Sequence, residues 1–171
     1  MKLSFLLSFL IFSTVAGAAQ ETCVLESKTA PVLLGLQIGI SPEQTQTIFG
    51  RDLKIKIKKK GESTFFQNFI KKPAPNSLSG VRALYLRFFD RRLYQIEIFY
   101  EPRLDLKTLE EITNTLSAQL DFPASGWQIK YNQAEIICGE TSLVADNILN
   151  PRIELTDETT RGKILESRKK K

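Results

Sequence analysis

The chain contains no histidine, and only two cysteines, one tryptophan and one methionine among its 171 residues. Without an imidazole, the Ser–His and Cys–His nucleophile systems are closed to it, and so are most transition-metal sites. A catalytic thiol would have no histidine to act as its base. No Gly-rich phosphate loop is present: Gly35 and Gly39 have neither the spacing nor the following lysine. A Ser-x-x-Lys pattern at Ser167 to Lys170 lies in a charged tail that does not dehydrate a lysine. Carboxylates are left as the acid–base candidates. Glu97 and Glu101 fall on the polar face of an expected strand, and Glu110 and Glu111 on a helix exterior. Solvated carboxylates make poor general acids at neutral pH, so no catalytic residue, metal site or cofactor is assigned.

What the chain does have begins with an apolar stretch. Lys2 precedes Leu3, Phe5, Leu6, Leu7, Phe9, Leu10, Ile11 and Phe12, and Ala16, Gly17, Ala18 and Ala19 follow. This is the pattern of a signal peptide over residues 1–19, cleaved after Ala18 or Ala19. The run is too short to span a bilayer, which takes roughly 20 apolar residues. Gln20, Glu21 and Thr22 precede Cys23 where a lipoprotein signal needs small apolar residues, so lipid attachment at Cys23 is rejected. Two cysteines in an exported chain read as one disulfide, Cys23–Cys138. The expected protein is therefore periplasmic or extracellular and not lipid-anchored. It consists of one domain over residues 20–167, large enough for a proper core, and a basic tail at 168–171.

Local patterns set the elements. Ser41 is a helix cap, with Pro42 at the first helical position and Gln44 at capping-box spacing; Ile48 and Phe49 point inward and Gly50 ends the helix. Residues 53–58 alternate strictly, with Leu53, Ile55 and Ile57 on one face and lysines on the other, which predicts a half-buried strand. Residues 81–89 and 93–100 predict a hairpin turned by Asp90, Arg91 and Arg92. Leu84, Leu86 and Phe88 share one face of it, and Tyr94, Ile96, Ile98 and Tyr100 another. Asp105 caps a helix with Leu106, Leu109, Ile112, Leu116 and Leu120 at helical spacing. Short strands follow at 127–131, 134–138, 142–145 and 152–156, and Asp157 caps a final helix. The order predicts an α+β fold, a mostly antiparallel sheet covered on one face by helices. Helix-plus-three-strand units in tandem are one arrangement of it.

The stretch Leu36-Gln37-Ile38-Gly39-Ile40-Ser41-Pro42-Glu43-Gln44, closed by Gly50, resembles the opening motif of small exported bacterial proteins. These are the outer-membrane-assembly lipoproteins of the SmpA/OmlA type and the proteins built like β-lactamase inhibitory protein. The resemblance covers about fifteen residues and the order of elements. It implies a short helix on an antiparallel sheet and a binding role rather than a reaction.

Charge is polarised along the chain. Residues 51–92 hold twelve Lys/Arg and three Asp/Glu, and residues 93–167 hold six and thirteen. Such asymmetry either steers a charged partner or pairs the two halves of one fold. In the basic half, Phe65, Phe66, Phe69 and Ile70 recur at helical spacing among Lys58, Lys59, Lys60, Lys71 and Lys72. One reading is an aromatic contact surface with a cationic rim. The other is a small helix, ended by Pro73, folded onto the sheet with its lysines solvated. Trp127 and Tyr131 offer either a sugar platform or core packing. The function expected first is a non-catalytic protein-binding or structural module, with another envelope or extracellular protein as partner. A peripheral binder of anionic membrane lipid or polysaccharide is second, and a carboxylate-dependent hydrolase third. Export argues against a nucleic-acid partner.

Overall fold

In the computed structural model, residues 30–50, 53–70, 74–102, 108–120, 126–148 and 150–170 are described. The expected signal peptide, Cys23, Lys71, Lys72, Asp105 and Leu106 lie outside them. The fold is α+β, with seven antiparallel strands and three helices. The strands are β1 (Glu62–Asn68), β2 (Val81–Phe89), β3 (Arg92–Tyr100), β4 (Gln128–Lys130), β5 (Gln133–Cys138), β6 (Thr141–Asp146) and β7 (Arg152–Asp157). The helices are α1 (Pro42–Phe49), α2 (Leu109–Leu120) and α3 (Glu158–Lys169). The sheet order β1-β2-β3-β7-β6-β5-β4 joins two meanders edge to edge at β3 and β7. The halves are unequal, three strands and four, and share one continuous sheet.

One face of the sheet is apolar. Leu84, Leu86 and Phe88 from β2, Ile96 and Ile98 from β3, and Leu143 and Leu155 from β6 and β7 are all fully buried there. Ile112 and Leu116 of α2 and Phe49 of α1 close over it. α1 starts as its sequence dictates. Ser41 Oγ accepts from Gln44 N–H, and Gln44 Oε1 accepts from Ser41 N–H at 2.8 Å. Its inward stripe is Pro42, Thr45 and Phe49, so Ile48 lies beside that stripe and is exposed, contrary to the expectation. α2 is capped three residues later than expected, by Thr108, whose Oγ1 accepts from Glu111 N–H at 3.1 Å while Glu111 returns the bond to Thr108 N–H.

The hairpin of β2 and β3 turns on two residues, not three. Asp90 and Arg91 both take positive φ, 45° and 63°, the backbone of a tight hairpin turn whose twist matches the strands. Arg92 already pairs with Phe89. A second correction follows from a register shift between Arg87 and Phe88. Arg87 pairs with Gln95 and Phe88 with Leu93, which leaves Tyr94 as an extra residue. The bulge turns Leu93 into the core and Tyr94 onto the opposite face, away from Ile96 and Ile98.

Two more expectations fail in the basic half. Residues 53–58 alternate as expected: Leu53 is buried, Ile55 and Ile57 are half-buried, and Lys54, Lys56 and Lys58 are exposed. Yet the segment joins no ladder. The Gln46 side chain takes that place, accepting from Ile55 N–H at 2.9 Å and donating to the Gly50 and Leu53 carbonyls. In place of the expected short helix through Phe65, Phe66 and Phe69 stands strand β1, which holds Phe65 and Phe66, pairs with β2 along all seven residues and ends just before Phe69. Apolar spacing alone suited a helix there, but Thr64, Phe65 and Phe66 are good strand formers, and pairing with β2 decides the outcome.

Candidate functional site

Because successive side chains on a strand point to opposite faces, the residues between the core positions build the second face. From β1 come Glu62, Thr64 and Phe66, and from β2 Tyr85 and Arg87. β3 brings Tyr94, Gln95, Glu97 and Phe99, and β7 brings Arg152, Glu154 and Thr156. α3 crosses this face. Asp157 caps it, accepting from Thr160 N–H at 2.9 Å. Ser142 on β6 donates to Glu158 at 2.5 Å near its first turn. Near its end, Arg168 pairs with Glu62 on β1. Ile164 is the buried anchor between these ends.

Beneath α3 lies a cleft of about 320 Å³ lined mainly by charge, with Arg87, Tyr94, Glu97, Arg152, Glu154, Arg161 and Arg168 among its walls. Arg152 is its hub. It contacts Glu97 at 2.8 Å, Asp146 at 2.5 Å and Glu154 at 3.3 Å. Burial works against the Arg152 charge, but hydrogen bonds to Glu97 and Asp146 outweigh it and hold the guanidinium pKa above its ordinary value. Tyr94 is pushed up to about 12, first by burial and then by the hydrogen bond its hydroxyl donates to Glu62 at 2.8 Å. It stays a neutral donor across the physiological range. Burial opposes the Glu62 charge too, yet bonds from Tyr94 and Arg168 prevail and hold its carboxyl below the usual range.

This wiring bears on catalysis. Glu97 is not a solvated carboxylate, as its place on a polar face had suggested; it is buried and engaged by Arg152 and, at 3.9 Å, by Arg87. Three carboxylates turn toward one guanidinium rather than into open space. Among the described residues, no group of three or more Cys, Asp or Glu is placed to hold a metal ion.

Beside the charged cleft runs an aromatic row. Phe66 stacks on Tyr85 with centroids 4.3 Å apart and planes 29° off parallel. Tyr85 meets Phe99 edge-on at 5.7 Å. Phe66 is 49% exposed, whereas Tyr85 and Phe99 are half-buried. The row thus presents one open aromatic ring fixed by a second, an arrangement worth about 0.5–1.5 kcal/mol per ring pair beyond burial.

The structure divides the residues singled out in the sequence. Phe65 points into the core at 9% exposure, and only Phe66 faces out. Phe69 is half-buried against the core. Lys58, Lys59 and Lys60 are exposed. There is no common helical stripe, because the strand alternates these side chains between faces. Trp127 packs against the core and donates to Ser117 Oγ at 2.8 Å, while Tyr131 is fully exposed in the β4–β5 turn. Cys138 is fully buried at the end of β5. Tyr85 and Arg87 were readable as the face opposite Leu84 and Leu86. The cluster around Arg152 was not, since it needs the β3–β7 junction and the Tyr94 bulge. Polarised charge is partly spent within the fold, through Arg87–Glu97 and Arg91–Glu43, but no ion pair among the described residues involves Lys54 to Lys60.

Among the described residues no helix is long and apolar enough to cross a membrane. No protein-family model, curated protein or solved structure matches the chain.

Proposed function

We propose that this chain is a non-catalytic binding module of the bacterial envelope or exterior, exported through residues 1–19, which holds another protein on the outer face of β1–β3. The observation that carries the reading is Phe66, half open to solvent and stacked on Tyr85 in a strand that is otherwise regular. A rigid aromatic anchor of this kind concentrates contact energy once a partner desolvates it. The opening motif around Gly39 to Gln44 and the ion-paired carboxylates support binding over hydrolysis.

The two neighbouring phenylalanines separate structure from contact. Phe65→Ala should destabilise by roughly 3–5 kcal/mol, because its ring fills the core. Phe66→Ala should cost less than about 1.5 kcal/mol, the worth of its ring pair, and should abolish chemical crosslinking to a partner in the native envelope fraction. Thermal melts with crosslinking on the same samples measure both effects. A folded Phe66→Ala protein that crosslinks like the wild type would reject the reading.

The export reading carries a Cys23–Cys138 disulfide, tying the mature N-terminus to the buried end of β5. In the chain-entropy model a loop of this length stabilises by about 4–5 kcal/mol. Intact mass after alkylation without reduction should show no alkylated thiol; two alkylated thiols would contradict it.

A further inference from the structure

β1 is an edge strand that pairs only with β2. At its two ends, Asp90 N–H donates to the Gly61 carbonyl and Phe69 N–H donates to the Arg82 carbonyl. The odd-numbered residues therefore direct their backbone groups toward β2. By alternation, the N–H and C=O groups of Glu62, Thr64 and Phe66 point away from the sheet, and nothing among the described residues pairs with them.

Natural edges are usually blunted by proline, by lysine on the strand or by a bulge. β1 has none of these, and its register with β2 is unbroken over seven pairs. The positive charge stands just beside it. Lys54, Lys56, Lys58, Lys59 and Lys60 are all exposed and unpaired among the described residues. An open groove of about 630 Å³ is lined by Lys56, Ile57, Lys58, Glu62, Ser63, Thr64 and Arg168, and the Lys58 N–H, donating to Ser63 Oγ at 3.1 Å, ties the lysine segment to β1 there. Alternate residues of an extended chain lie about 6.6 Å apart, which is also the spacing of alternate carboxylates on an incoming strand.

We propose that the free edge of β1 accepts an extended acidic segment of a partner protein as an added strand, with Lys54, Lys56 and Lys58 facing its carboxylates. The proposal rests on the binding reading above but uses a different surface from the aromatic row. Backbone bonds to the edge supply the pairing and the lysines supply selection by charge. A second copy of this chain is the poorer occupant, since its own lysine segment would meet this one and like charges across a strand pair repel.

The test uses the full chain and a short fluorescent peptide of alternating Glu and Val, with binding read by anisotropy at low salt. The native protein should bind it. The same peptide N-methylated at alternate residues keeps its charge but cannot complete the ladder, and should bind at least about tenfold more weakly. Lys54→Gln, Lys56→Gln and Lys58→Gln combined should weaken binding about tenfold and flatten its salt dependence. Thr64→Pro removes an N–H that serves only the open edge, and should abolish binding with the melting temperature unchanged. No binding by the native protein would overturn the proposal. Equal binding of the N-methylated peptide, or heparin displacing the peptide and binding Thr64→Pro unimpaired, would also overturn it, as the mark of a charge-only polyanion contact. A native dimer that Thr64→Pro dissociates would assign the edge to a second copy and overturn it as well. A partner crosslinked through Phe66 while the peptide fails would remove the edge proposal and leave the binding reading standing.

Discussion

Phe88→Ala will lower the stability of the chain by about 3–5 kcal/mol, the range also expected for Phe65→Ala. Phe88 is fully buried and lies where β2 meets Leu93 across the register shift. Its ring is the bulkiest of the fully buried side chains. Removing it empties space that Leu86 and Leu93 cannot both move into, because the strands that carry them are locked by pairing on each side. Phe89, one residue along and half-buried on the other face, is the control; Phe89→Ala should cost under about 1.5 kcal/mol, in line with a half-buried site. Urea midpoints for both variants decide the matter. Equal midpoints would mean that the faces of β2 are assigned the wrong way round.

Arg152→Ala should cost about 2–4 kcal/mol, less than a fully buried pair because the guanidinium keeps 24% exposure. The loss comes from what remains behind. Glu97, Asp146 and Glu154, with side chains 10%, 8% and 15% exposed, would be left facing one another without their cation. Arg152→Lys should recover only part of the loss, since one ammonium does not serve carboxylates on two sides as the guanidinium does through Nε and Nη1. Arg152→Met combined with Glu97→Gln, Asp146→Asn and Glu154→Gln should be more stable than Arg152→Ala, because it removes all three stranded charges. Denaturant titration of the three proteins tests this. An Arg152→Ala variant as stable as the wild type would show that the cluster is loosely solvated.

Much of the fold was legible because its signals are local. Ser41 to Gln44 spell a capping box that the backbone adopts, and the alternation in 81–89 and 133–138 reports which side chains are buried. Where the reading failed, a distant partner decided. Residues 53–58 carry the pattern of a strand, but a strand also needs a neighbour, and the Gln46 amide takes those backbone bonds instead. Phe65, Phe66 and Phe69 fit a helical stripe until β2 pairs with them, after which one ring goes in and the next goes out. Tyr94 changes face through a single extra residue that no periodicity reveals. The sequence spacing put these phenylalanines on one face, whereas the structure turns Phe65 inward and Phe66 outward. The charged cleft under α3 draws on β1, β2, β3, β7 and α3, and no window of sequence contains it.

Site-specific photo-crosslinking tests the proposed contact face most directly. A benzoyl-phenylalanine placed at position 66 in the protein produced in its own envelope should give one discrete protein adduct on illumination. The same group at position 137, more open to solvent than position 66 but across the sheet on β5, should give none. Absence of an adduct at 66, or equal adducts at both positions, would contradict a partner held on the outer face of β1–β3.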